Sequence, residues 1–184
     1  MLPIIWILIA AVVLILLAFI AYYNKFVILS QRADNSLAQI DVQLKKRADL
    51  VPNLIETVKG YAKHEKGIMD NVLKARQAMM GAKDIVGKMK AGNVLNNAIG
   101  KLFAIAEQYP QLKANENFLQ LQQELASIED KIAYARQYYN DSIMSFNNAV
   151  KTFPGSFFAG IYGKKEKVYL QIPEAQKAVP KVSF

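Results

Sequence analysis

Apolar positions along the chain change from continuous to periodic near residue 24. Residues 2 to 23, LPIIWILIAAVVLILLAFIAYY, contain no charged side chain. About 20 apolar residues, rising about 1.5 Å each in a helix, cross a hydrocarbon core of about 30 Å. Trp6 lies near one end of the run and Tyr22 and Tyr23 at the other, where amphipathic rings prefer the interface. A cleaved signal peptide would show a basic n-region and an apolar core of about 7–15 residues closed by an A-x-A site. This run is longer and has neither flank, so an uncleaved transmembrane anchor over residues 1–23 is expected.

Past the anchor the apolar residues step by three or four: Phe26, Leu29, Ala33, Leu37, Ile40, Leu44. That is the period of one buried helical face. At the same spacing the series continues through Arg47, Val51, Ile55, Val58, Ala62, Glu65, Met69, Val72, Arg76 and Met79. Pro52 either ends one helix, with Asp49 as a cap for the next, or kinks a helix that runs on. The phase does not break at Pro52, which favours the kink and predicts a helix reaching about Gly81.

A second stripe runs through Phe118, Leu121, Leu125, Ile128, Ile132, Ala135, Tyr139, Ile143, Phe146 and Val150, predicting a long helix over 113–151. Tyr109-Pro110 reads as the turn before it. Residues 83–108 read as helical with an interruption at Gly92. No helix hides such a stripe alone. The expected fold is all-α: an antiparallel helical bundle of four-helix type over 24–151, preceded by the transmembrane helix. The spacing suits a short globular bundle better than a free coiled coil. Residues 152–184 contain Pro154, Pro173 and Pro180 and read as an irregular tail that folds back over a groove or serves as a docking strand. Within it FFAGIYG is an apolar patch, and KVYLQIP alternates like a short edge strand.

Charged residues on or beside the stripes need partners, because an unpaired buried charge is costly. Glu65 and Arg76 fall on the first stripe; Glu124, Glu129 and Arg136 flank the second. If the helices run antiparallel, Glu65 beside Arg136 brings Arg76 near Glu124. Structural pairing is preferred to a catalytic carboxylate pair, since no nucleophile or ligand set lies nearby. His64 is the only histidine, and HEKGI is not H-E-x-x-H, so neither zinc nor a di-iron site is expected. Gly160 and Gly163 beside Lys164, Lys165 and Lys167 read as a solvated loop rather than a phosphate nest. No cofactor is expected.

The chain has 184 residues and no cysteine, which removes disulfides, Cys-ligated metals and thiol nucleophiles. Its net charge is +8, but the basic residues are interleaved with acids over helix faces, so nucleic acid is not an expected partner. Lys45 and Lys46 read as a solvated face. The N-terminal flank of the anchor has no charged side chain, whereas Lys25, Arg32 and Lys45-Lys46-Arg47 follow it. The positive-inside rule then places the N-terminus outside and the helical domain in the cytoplasm.

The runs IDVQLKKRADLVPNLIETVKGYAKHE and YPQLKANENFLQLQQELASIEDKIAYARQYYN, with the ending PKVSF, resemble the LemA family. The resemblance implies a bacterial single-pass inner-membrane protein with an antiparallel four-helix domain, and no agreed activity, cofactor or catalytic residue. A four-helix count would favour a break near Pro52 or divide the segment at Gly92. The functional expectation is a membrane-anchored scaffold or adaptor, without enzymatic activity, that forms homo-oligomers or binds other membrane proteins. The alternative is a lipid-surface or membrane-remodelling protein using FFAGIYG and basic helix faces.

Overall fold

The computed structural model describes residues 2–170 and is built from helices: α1 (Leu2–Tyr61), α2 (Lys66–Gly81), α3 (Ile85–Ala106), α4 (Pro110–Lys113), α5 (Glu116–Lys151) and α6 (Gly155–Ile161). No strand occurs among the described residues. The chain divides into two compact units. One joins Met1–Asn35 to Gln137–Phe184; the other is Ser36–Arg136. Both α1 and α5 contribute residues to each unit.

The unit of residues 36–136 is a bundle of the second half of α1, α2, α3 and the first part of α5. Its core takes Ile40, Leu44, Val51, Leu54 and Val58 from α1, Met69, Val72 and Met79 from α2, Leu95, Ile99 and Leu102 from α3, and Phe118, Leu121, Leu125 and Ile128 from α5. Within this unit α1 and α5 are antiparallel. Tyr61 Oη accepts from Asn115 Nδ2 at 3.1 Å, and Arg47 pairs with Glu129. Fourteen residues separate the two contacts on each chain segment, so the register holds over about four turns.

α1 passes through Pro52 without ending, as the unbroken phase implied. It does not reach Gly81. The helix ends at Tyr61, and Ala62–Glu65 form a turn before α2. Gly60, one residue before the end, weakens the helix there. The phase survived this reversal because Ala62 stays buried in the turn and Met69 resumes the stripe seven residues later. The expected interruption at Gly92 is also absent: α3 is continuous through it. Gly92 instead permits a close approach, since a Cβ there would lie 2.7 Å from Leu44 Cδ2 and 3.5 Å from Met79 Sδ.

Side chains cap the starts of α3 and α5. Asp84 Oδ1 accepts from the Gly87 amide at the start of α3, and Asn115 Oδ1 accepts from the Phe118 amide at 3.0 Å at the start of α5. Pro110 opens α4, where its missing N–H has no helical partner to lose.

The other unit packs an aromatic core. Phe26 and Leu29 of α1 meet Phe146 and Ala149 of α5 and Phe158 and Ala159 of α6, with Phe19, Tyr22 and Tyr162 alongside. The expected strand at KVYLQIP is not formed over 167–170, and its remainder lies outside the described residues, as does PKVSF. Residues 167–170 run instead along α5, held by side chains. Asn147 donates to the Lys167 carbonyl and accepts from its amide, both at 2.9 Å. Asn140 does the same for Leu170, at 3.1 and 2.9 Å. Seven residues of helix and three of extended chain both advance about 10 Å, so two asparagine amides imitate a neighbouring strand.

Candidate functional site

The charged residues singled out on the stripes are distributed over three arrangements within the bundle unit. At the first, Arg47 is only 2% exposed although it ends a basic run. Its Nη2 bonds Glu129 Oε2, and Nη1 donates to the Gly92 carbonyl at 3.4 Å. Lys45 and Lys46 are exposed, and Lys45 Nζ bonds Asp49 at 3.4 Å. The same register that joins Arg47 to Glu129 sets Arg136 on α5 level with Ile40 on α1.

The second arrangement follows from Pro52. A proline lacks the N–H that would bond the carbonyl four residues earlier. Here that carbonyl belongs to Ala48, and Arg76 Nε of α2 donates to it at 2.7 Å. At the third, Tyr109 Oη donates to Glu65 Oε1 at 3.2 Å. Burial, then this bond and the carboxylate charge, push the Tyr109 hydroxyl above its ordinary pKa. The expected pairs Glu65–Arg136 and Arg76–Glu124 presupposed one helix running to Gly81, and the turn at Ala62–Glu65 removes that premise. Glu124 accepts from Gln120 Nε2 at 3.1 Å. His64 is exposed in the same turn.

Sequence reasoning passed over four further groups. Lys88 Nζ of α3 bonds Asp41 Oδ1 of α1 at 2.7 Å. In the other unit Lys167 Nζ donates to Ser30 Oγ at 2.7 Å and lies 5.3 Å from the Phe146 ring centroid. Tyr139 Oη donates to the Val168 carbonyl at 3.1 Å. Burial, with the Asp34 charge second, raises the Tyr139 pKa. The hydrogen bond from Lys151 to Glu166, with their attraction, raises that of Lys151. The signal for Arg47 was present in the sequence, because it occupies a stripe position.

A cleft of about 340 Å³ opens beside Lys46, Asp49, Glu124, Ser127 and Lys131. Two lysines and two carboxylates balance at its rim. Among the described residues no cluster of three or more His, Asp or Glu side chains is placed to hold a metal ion.

A model of the LemA family matches residues 36–184. The chain belongs to the LemA family. It is similar to the magnetosome protein MamQ of Magnetospirillum gryphiswaldense, with 27% identity over 187 residues, 85% of this chain and 69% of the relative. Magnetosome protein MamQ 1 of Paramagnetospirillum magneticum is 27% identical over 189 residues, 86% of this chain and 70% of the relative. Protein LemA of Metamycoplasma hominis is 26% identical over 120 residues, 65% of this chain and 55% of the relative. None of these names denotes an enzyme. The family match takes in the whole bundle unit and the tail, and the apolar run precedes it. α1 is long and apolar enough there to cross a membrane, and none of that window is buried within the protein. A membrane location follows from an apolar surface that only lipid covers at low cost.

Proposed function

We propose that this LemA-family chain is a single-pass helical scaffold or adaptor of the bacterial inner membrane. It self-assembles, binds other membrane proteins, or does both, and catalyses nothing itself. Its N-terminus lies outside and its bundle in the cytoplasm, following the excess of Lys and Arg after the span. The observation that carries the reading is that one helix, α1, supplies both the open apolar span and a wall of the bundle unit. Anchoring confines copies to two dimensions and raises their effective concentration for contact. The interior chemistry supports the same reading: both Nη groups of the buried Arg47 and the carbonyl freed by proline find partners within the bundle, and only Arg47 Nε is left without one.

The test uses the absence of cysteine from the sequence. Single cysteines at exposed bundle positions such as Leu73, Val94 and Leu119 are introduced into the full chain in native membranes and crosslinked. Specific crosslinks between copies, or to one reproducible membrane protein, are expected at some positions and not at others. Uniform failure to crosslink, with the chain still inserted, contradicts the proposal.

A further inference from the structure

Residues 153–162 present two apolar faces, and only one is covered. On the covered face Phe158 stacks on Tyr22 with centroids 4.5 Å apart and meets Phe19 edge-on at 5.0 Å. Tyr162 Oη donates to the Phe19 carbonyl at 2.8 Å. A Cβ on Gly155 would collide with the Ala149 carbonyl and come within 3.3 Å of Tyr22, so this helix is seated as closely as its backbone permits. On the open face Phe157 is 60% exposed, Ile161 51% and Phe153, just ahead of α6, 88%. The sequence of α6, GSFFAGI, has one polar side chain, Ser156. A helix apolar all round is ordinarily buried.

Depth decides what buries it. Phe19 and Tyr22 belong to the last two turns of the charge-free run, ahead of Lys25. A span of about 20 residues that takes in Ile4 ends close to Tyr22 and Tyr23. Contacts to Phe19 and Tyr22 therefore hold α6 at the depth where hydrocarbon gives way to headgroups. Lys25 sits 5.7 Å from the Tyr22 ring centroid, and Lys164 and Lys165 follow α6, so cations flank the apolar face on its polar side. Basic side chains at that depth attract anionic headgroups.

We propose that residues 153–162 form a second membrane contact: α6 lies against α1 in the lipid boundary at the Lys25 end of the span, with Phe153, Phe157 and Ile161 among the acyl chains. The chain then holds its bilayer by a span and a lateral foot. The foot fixes the rotation of α1 about its own axis, because only one side of the span carries it. Amphipathic segments embed in this zone by buried apolar area plus charge attraction. The inference does not depend on self-assembly and stands or falls separately from it.

The test places a nitroxide on the full chain in vesicles of phosphatidylcholine and phosphatidylglycerol, through Phe157→Cys and, separately, Phe153→Cys. Leu14→Cys in the span and Tyr134→Cys, 74% exposed in the bundle unit, serve as lipid and water references. Collision with oxygen is compared with collision with a water-soluble nickel chelate. The expected result is an oxygen-to-chelate ratio at 153 and 157 several-fold above that at 134 and below that at 14, which lies at mid-span. A ratio matching 134 shows water and overturns the proposal. Protection from both reagents shows cover by protein, such as a second copy, and overturns it equally. Position 153 lies outside the helix, so it reports even if a label at 157 disturbs α6.

Discussion

Arg76 completes the hydrogen bonding of Ala48: its Nε takes the carbonyl that Pro52 leaves without a helical donor, at 2.7 Å. This accounts for two features of the sequence at once, a proline inside a long helix and an arginine on an apolar stripe. A hydrogen bond from a charged group contributes roughly 1.5–3 kcal/mol, less where water competes, and Arg76 is half-buried. Arg76→Met is expected to cost about 1–2 kcal/mol in chemical denaturation. In the Pro52→Ala background residue 52 regains its N–H, and the same substitution should cost less than half as much. Equal costs in the two backgrounds would show that Arg76 acts by some other route.

The Arg47–Glu129 pair joins α1 to α5 and fixes their register. Removing one partner of a buried pair costs about 3–5 kcal/mol, because the other charge is stranded. Glu129 is 39% exposed, so water reaches the vacated side and Glu129→Gln should cost nearer about 2 kcal/mol. The double variant Arg47→Met, Glu129→Leu strands nothing. It is expected to melt closer to the parent than Glu129→Gln does, as read by thermal loss of helical circular dichroism.

Two glycines of α3 should respond oppositely to alanine. At Gly100 a Cβ meets nothing within 4 Å. Gly100→Ala is expected to stabilise by about 0.8–1 kcal/mol through helix propensity alone. At Gly92 the Cβ meets Leu44 Cδ2 at 2.7 Å, and the overpacking cost of about 1–3 kcal/mol exceeds that gain. Gly92→Ala should therefore destabilise, and Leu44→Val should relieve it in part.

The tail segment depends on Asn140 and Asn147. Each net hydrogen bond contributes about 1 kcal/mol. Asn147→Ala removes both bonds to Lys167, and amide exchange there should quicken by roughly tenfold or more. Exchange at Leu170 should respond to Asn140→Ala instead. Unchanged exchange at both sites would mean that packing alone holds the tail.

Most of the architecture was legible from spacing. Three-and-four periodicity located the core residues of α1, α2 and α5 because burial requires one face, and α1 runs through Pro52 as the phase implied. The same reasoning missed the turn at Ala62–Glu65. A reversal that keeps its own buried residue, Ala62, preserves phase and imitates a continuous helix. Gly92 was read as a breaker because propensity is local, whereas its role is set by Leu44 and Met79 on other helices. Arg47 follows two solvated lysines, and its stripe position governed its burial. The contacts of Asn140 and Asn147 with the tail were not legible at all. They join an amide on a helix to backbone about 20 to 30 residues away, and no local pattern announces that.

The chain is proposed to serve as a membrane-held body for assembly with its own copies, with other membrane proteins, or with both. The most direct measurement is the mass of the intact particle extracted with its surrounding lipid and no added crosslinker. The account predicts a discrete mass of more than one chain, either several copies or copies with a membrane protein in fixed proportion. A single chain with lipid alone, at native expression and retaining its helical content, would contradict it.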